Sequence, residues 1–193
     1  MLFRSVIVGL TGRNAAGKGT VADWLVARGF RYTSLSDAIR AWLQSRGEEP
    51  SRDNLIRGGR TLRAEGGPGV LAVRTLAGIR PGEDVVVDSI RNPAEVDALR
   101  QRADFVLVEV CADRQVRWQR LAARGRAGDA RSFEEFARQE DAELHSGDPV
   151  AQQLVATAAL ADVRVNNDGD VAALEAALTG LLQQWRARTD VTA

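Results

Sequence analysis

The sequence is nearly without lysine: among 26 basic residues only Lys18 is a lysine, and all the others are arginine. Cysteine, histidine and charge bias are equally sparse. Cys111 is alone, so no disulfide can form within the chain and no cysteine cluster can hold a metal. The lone histidine, His145, reads as a surface residue and Cys111 as a small buried hydrophobe. Basic and acidic residues balance at 26 each, which argues against a nucleic-acid or membrane partner drawn by an overall field. No apolar run approaches the ~20 residues that cross a bilayer, and Arg4 interrupts any leader-like start, so a cytoplasmic location is expected. Within 193 residues, 45% of them hydrophobic, one globular domain with a substantial core is expected.

What is present is concentrated near the start. From Gly12 the chain reads Gly-Arg-Asn-Ala-Ala-Gly-Lys-Gly-Thr, a G-x-x-x-x-G-K phosphate-binding loop. Glycines at both ends let the backbone curl until successive N–H groups face phosphate oxygens, and the helix opening at Lys18 adds its positive end. Gly12, Asn14, Ala15, Ala16, Gly17, Lys18, Gly19 and Thr20 are thereby candidate nucleotide ligands. In a chain that otherwise uses arginine, the compact ammonium of Lys18 suits a tight phosphate cradle that a planar guanidinium does not fit. An apolar run precedes the loop and helically spaced Val21, Trp24 and Leu25 follow it, with Gly29 as the helix stop. Trp24, Trp42, Trp118 and Trp185 occupy apolar helix positions and read as core.

Farther on, strand-like runs near 3–9, 32–36, 85–88, 105–110 and 162–166 alternate with helical segments. Asp37, Ser51, Asn92, Asp113 and Ser132 read as helix caps. Alternation of this kind specifies an α/β fold with a parallel sheet covered on both faces and a site at the carboxyl ends of the strands, where Gly9, Asp37, Asp88 and Cys111 are expected.

With the loop, the acid Asp88 closing an apolar strand and the Asp88-Ser89-Ile90-Arg91 motif, the chain resembles the nucleoside monophosphate kinase group, especially its small adenylate kinase-like and dephospho-CoA kinase-like members. The resemblance implies a P-loop three-layer α/β/α sandwich with a five-stranded parallel sheet, an acceptor-binding helical insert at about 37–80 and an Arg-rich lid at about 124–132. It implies ATP and Mg²⁺ as cofactors, and a small nucleotide as partner. Lys18, Asp88, Arg91, Arg120 and Arg124 would be catalytic, with Arg117 and Arg126 in the same lid group. Asp37, Arg40, Arg60, Arg63 and Arg91 would bind the acceptor, with Arg74 nearby. Thr20 and Asp88 would hold the metal through water, since Gly19 stands where many such loops place a hydroxyl. Arg120 would also contact ATP from the lid, and Asn167, Asp168 and Gly169 would touch the base mainly by backbone.

The implied reaction moves the γ-phosphoryl of ATP to a nucleoside monophosphate or similar phosphorylated acceptor. A dephospho-CoA kinase-like enzyme and a nucleotide-binding regulatory module stay open as alternatives. A GTPase is disfavoured, because no N-K-x-D motif is present.

Overall fold

The computed structural model describes residues 5–125, 129–144 and 152–188. Arg126 and His145 lie outside them. Five strands, β1 (Ile7–Thr11), β2 (Arg31–Ser34), β3 (Val85–Asp88), β4 (Phe105–Cys111) and β5 (Val163–Asn166), form one parallel sheet in the order β2-β3-β1-β4-β5. Nine helices accompany them among the described residues: α1 (Lys18–Val26), α2 (Leu35–Gln44), α3 (Arg52–Gly66), α4 (Val70–Leu76), α5 (Pro93–Leu99), α6 (Arg114–Arg124), α7 (Phe133–Leu144), α8 (Leu154–Ala159) and α9 (Val171–Arg188).

The central strands β1, β3 and β4 are largely apolar on both faces because helices cover both, whereas the edge strands β2 (Arg-Tyr-Thr-Ser) and β5 (Val-Arg-Val-Asn) are mixed and partly exposed. Val6, Val8, Leu10, Val86, Val108, Val110 and Val165 pack with α1 and α9, while Ile7, Val85, Val87 and Leu107 pack with α2 to α5. The side-chain period of two thus divides one continuous hydrophobic run between two cores.

Two boundaries differ from the sequence reading. The first strand runs two residues farther, to Thr11, so Gly9 lies inside it rather than at its end. Glycine had signalled the loop too early; the sheet continues because Leu10 is fully buried and the Thr11 hydroxyl donates to the Ile90 carbonyl at 2.9 Å. The second strand stops at Ser34, and Ser34, not Asp37, caps α2: its hydroxyl accepts from Ser36 N–H while the Asp37 carboxylate accepts from Ser34 N–H. Asp37 is therefore the acid three residues into a capping box. The caps at Ser51, Asn92, Asp113 and Ser132 are as expected. Helix α8 has no counterpart in the sequence reading. Trp24 and Trp185 are buried, whereas Trp42 and Trp118 are only partly so.

Candidate active site

Because β1 is central and its neighbours β3 and β4 lead away on opposite sides, the carboxyl end of β1 is the crevice of the sheet. There the chain turns from Thr11 through the loop into α1. Gly12 has φ +129°, and a Cβ there would lie 2.2 Å from the Val110 carbonyl oxygen; Gly17 has φ +102°, and a Cβ there would lie 2.0 Å from Asn167 Nδ2. Both positions combine a left-handed backbone with a close approach, so each requires glycine. Ala15 sits between them at φ +60°. Such strain is retained where surrounding structure holds it, here by Trp118, Phe133 and Phe136, whose cluster packs against Ala15.

The Lys18 ammonium folds back over the loop and donates to the carbonyls of Gly12 (2.8 Å) and Arg13 (3.0 Å). Burial lowers its pKa to about 8, with Arg91, Arg117 and Arg124 pushing the same way and Asp88 opposing them. The cradle thus holds a desolvated cation with further arginines around it, an environment that a polyanion relieves.

Asp88 ends β3 beside Ser34 of β2. Its Oδ1 accepts the Ser89 N–H at 2.6 Å and its Oδ2 lies 3.4 Å from the Tyr32 hydroxyl, so the carboxylate keeps free lone pairs toward the crevice. Ser89, at φ +66°, makes the sharp turn that follows. Arg91 is then fixed from three directions: its N–H donates to Glu95 (2.9 Å), its carbonyl accepts from Gln153 N–H (2.8 Å), and its Nη1 donates to Gln152 Oε1 (3.1 Å).

Opposite this loop, α6 carries three arginines on one face with three fates. Arg117 is buried and grips Glu140, its Nε donating to the Ala112 carbonyl at 2.9 Å. Arg13 (3.3 Å) and Arg114 (2.8 Å) reach the same carboxylate. Burial works against the Glu140 ion, but these guanidiniums hold its pKa below the ordinary carboxylate value. Arg120 donates from Nη2 to the Asn167 carbonyl at 2.7 Å, and its buried Nη1, near Gly17, has no hydrogen-bond partner among the described residues. Arg124 pairs with Asp129 through two bonds of 3.0 and 2.9 Å and comes within 3.5 Å of Asn14 Oδ1 across the loop. Asn167 is itself tied in, donating from Nδ2 to the Ala16 carbonyl at 2.9 Å and from its N–H to Cys111 at 2.8 Å.

Between the loop and α2–α4 lies a cleft of about 360 Å³. Leu35, Ile39, Leu55, Ile56 and Leu71 make its apolar wall. Arg52, Arg63, Arg91, Arg124, Ser36, Ser89, Asn14 and Gln152 supply its polar groups.

A match to the AAA domain family spans residues 8–144. A UPF0200 protein of Pyrobaculum aerophilum is 38% identical over 142 residues, covering 73% of this chain and 79% of that one. The chain belongs to the UPF0200 proteins of the AAA domain family. Among solved structures, TT1252 from Thermus thermophilus superposes with a TM-score of 0.60 at 22% identity (94% of this chain, 98% of that one). Shikimate kinase from Bacteroides thetaiotaomicron superposes with 0.58 at 16% identity (93% and 97%). The fold of this UPF0200 protein is therefore that of the small P-loop kinases.

Of the residues singled out from the UPF0200 sequence, the fold brings Asn14, Arg63, Arg91 and Arg124 to the cleft and Lys18, Asp88, Arg120 and Asn167 to the loop above it. Thr20 stands exposed on the first turn of α1, and Gly19 is exposed beside it. Asp37 and Arg40 form an exposed ion pair with each other (2.8 Å) and do not line the cleft. Exposed Arg60 and Arg74 also lie outside it. Arg63 is there, but its guanidinium is given to buried Glu95. Arg117 is a buried anchor rather than a lid cation. Both main-chain groups of Asn167 are engaged and the Asp168 N–H donates to Asn166 Oδ1 at 2.9 Å, while Gly169 is exposed. The Cys111 thiol, part-buried and 3.4 Å from the Val165 carbonyl, has its pKa pushed up by burial, which disfavours the reactive thiolate. Ser36, Ser89, Arg52, Glu95 and Gln152 were missed. An Asn-Pro-x-Glu capping signature marked Glu95 only as a helix start.

Proposed function

We propose that this protein is a Mg·ATP-dependent phosphotransferase whose acceptor is a nucleoside monophosphate or a similar small phosphorylated molecule. The charge of the cleft carries the reading. Among the described residues four arginines line it, and the one lining carboxylate, Asp129, is already paired with Arg124. A hydroxyl acceptor needs a base to take its proton. A phosphate brings its own anionic nucleophile and needs cations, best supplied by guanidiniums in bidentate geometry. The aliphatic wall gives the rest of the acceptor, such as a base, an apolar surface. The same charge balance favours a phosphate over the hydroxyl acceptor of a dephospho-CoA kinase-like enzyme.

ATP fits the loop on two observations: the buried ammonium of Lys18 held on main-chain carbonyls, and the orphaned Arg120 Nη1 beside Gly17. Asp88, with open lone pairs, is the residue that would order Mg²⁺, with Thr20 on the first turn of α1 as the second candidate; an ion held largely by water and phosphate oxygens suits one or two protein ligands. When bound, the ion neutralises charge on the phosphates. The chain's own part is positioning and electrostatics, with Lys18 and Arg124 toward the transferring group and Arg91 toward the acceptor phosphate.

Release of ADP from Mg·ATP is to be measured against ribo- and deoxynucleoside monophosphates and dephospho-CoA. Selective acceleration by one monophosphate is expected. Acceleration by dephospho-CoA alone would move the acceptor to a hydroxyl, and ATP binding with no stimulation by any member would make the protein a regulatory module.

A second expectation follows from Lys18. Its pKa of about 8 in the free protein rises once phosphates surround it, so nucleotide binding takes up a proton. Uptake should approach about half a proton at pH 8 and vanish near pH 6, where the amine is already charged. Affinity should fall, by up to about tenfold per pH unit, above pH 8. Calorimetry in two buffers of different ionisation enthalpy reads this directly, and no proton uptake at pH 8 would contradict it.

A further inference from the structure

We propose that Glu95 is the positioning residue of the acceptor half of the site, joining the arginine of one element to the main chain of another. The inference rests on the phosphotransferase reading above and adds a residue to it. Glu95 is completely buried beneath the cleft on α5. Its Oε1 accepts from both Nε (2.9 Å) and Nη2 (2.7 Å) of Arg63 on α3. Its Oε2 accepts the N–H groups of Arg91 (2.9 Å) and Asn92 (3.1 Å). Each oxygen thus serves one side of the acceptor cleft: one holds the helical insert, the other the loop that follows Asp88.

Space for this arrangement is built in. Gly59 lies one helical turn before Arg63, and a Cβ there would come within 3.2 Å of Arg63 Nη1 and 3.1 Å of Ile39. Arg63 is 4% exposed and lines the cleft, so its guanidinium is desolvated and oriented by the carboxylate at the acceptor side of the site. A helix cap alone requires only the bond from the Asn92 N–H, and a surface ion pair would not be buried. Doing both with one carboxylate makes the separation of Arg63 and Arg91 a fixed quantity, which is what recognition of a phosphate from two elements requires.

The comparison that isolates this is Arg63→Met against Arg63→Met/Glu95→Met. The first leaves a buried carboxylate without its cation; the second removes that charge, so folding should be regained, with a thermal midpoint within about 5 °C of the unsubstituted protein. If Glu95 positions the Arg91 loop, the second substitution nevertheless speeds hydrogen exchange at the Arg91 and Asn92 amides by about tenfold or more and raises the acceptor KM about tenfold further. KM for ATP should stay within about twofold, since the P-loop makes no contact with the pair. Unchanged exchange at both amides, or an acceptor KM returning to normal as folding recovers, would overturn the assignment. Should the unsubstituted protein phosphorylate no monophosphate, the acceptor reading fails, and the two amides alone decide whether Glu95 holds the loop.

Discussion

Lys18→Ala should lower the rate of phosphotransfer by about 10²–10³-fold, the usual loss when one preorganised charge on the reacting oxygens is removed. The chain has no other lysine to substitute for it. Of the arginines that act on it electrostatically, Arg117 is buried on Glu140, and Arg91 and Arg124 are held at their own places in the cleft by Gln152 and Asp129, so none can move into the loop. Lys18→Arg should recover little, although the charge is kept. The ammonium sits within 3.0 Å of two main-chain carbonyls inside a closed loop, and a planar fork with five donors cannot occupy that space without displacing Gly12 or Arg13. Single-turnover transfer and binding of a non-hydrolysable ATP analogue are the paired measurements. Binding weakened less than turnover places the ammonium's contribution in the transition state; full phosphotransfer by Lys18→Ala would refute the proposed chemistry.

How much of this was legible in the sequence depended on how local the physics was. The loop from Gly12 to Thr20 reads correctly because its requirements, φ values open only to glycine and one compact cation, are satisfied within nine residues. The sheet reads correctly as parallel because strands alternate with helices and the central ones are continuously apolar, but nothing local specifies the order β2-β3-β1-β4-β5. The arginines were hardest. Arg60 and Arg63 stand three residues apart on one helix, and both were assigned to the acceptor. The fold leaves Arg60 exposed and buries Arg63 because Glu95, 32 residues away, arrives beneath the latter. Arg117 was likewise read as a lid cation, and its partner Glu140 lies 23 residues on, across the lid. An ion pair's second member at that distance has no periodic signature. Asp37 shows the reverse error: a strand-end acid is a good candidate ligand until the chain turns into a helix one residue after Ser34 and uses the carboxylate on itself. The six-residue helix α8, Leu-Val-Ala-Thr-Ala-Ala, is too short and too uniform to display a 3.6-residue period, so Gln152 just before it stayed hidden.

Gly17→Ala should cost about 100-fold or more in nucleotide affinity, and the loss divides into two parts that a second substitution separates. One part is backbone strain: at φ +102° an alanine costs about 1–3 kcal/mol more than glycine. The other is steric. The new Cβ would displace Asn167 Nδ2 and break its 2.9 Å bond to the Ala16 carbonyl, loosening a segment whose own carbonyl holds Arg120. Asn167→Ala alone removes that one bond and leaves a carbonyl unsatisfied, which should cost about fivefold to tenfold. In the double variant Gly17→Ala/Asn167→Ala the side-chain collision is gone, so affinity should be better than in Gly17→Ala although a second contact has been lost. Titration of all four proteins with the same non-hydrolysable ATP analogue closes the cycle. Costs that simply multiply would mean that the loop and the β5–α9 turn act independently. A double variant that binds more tightly than the single one would show that the turn forms the far wall of the phosphate cradle and that Gly17 is glycine partly to admit it.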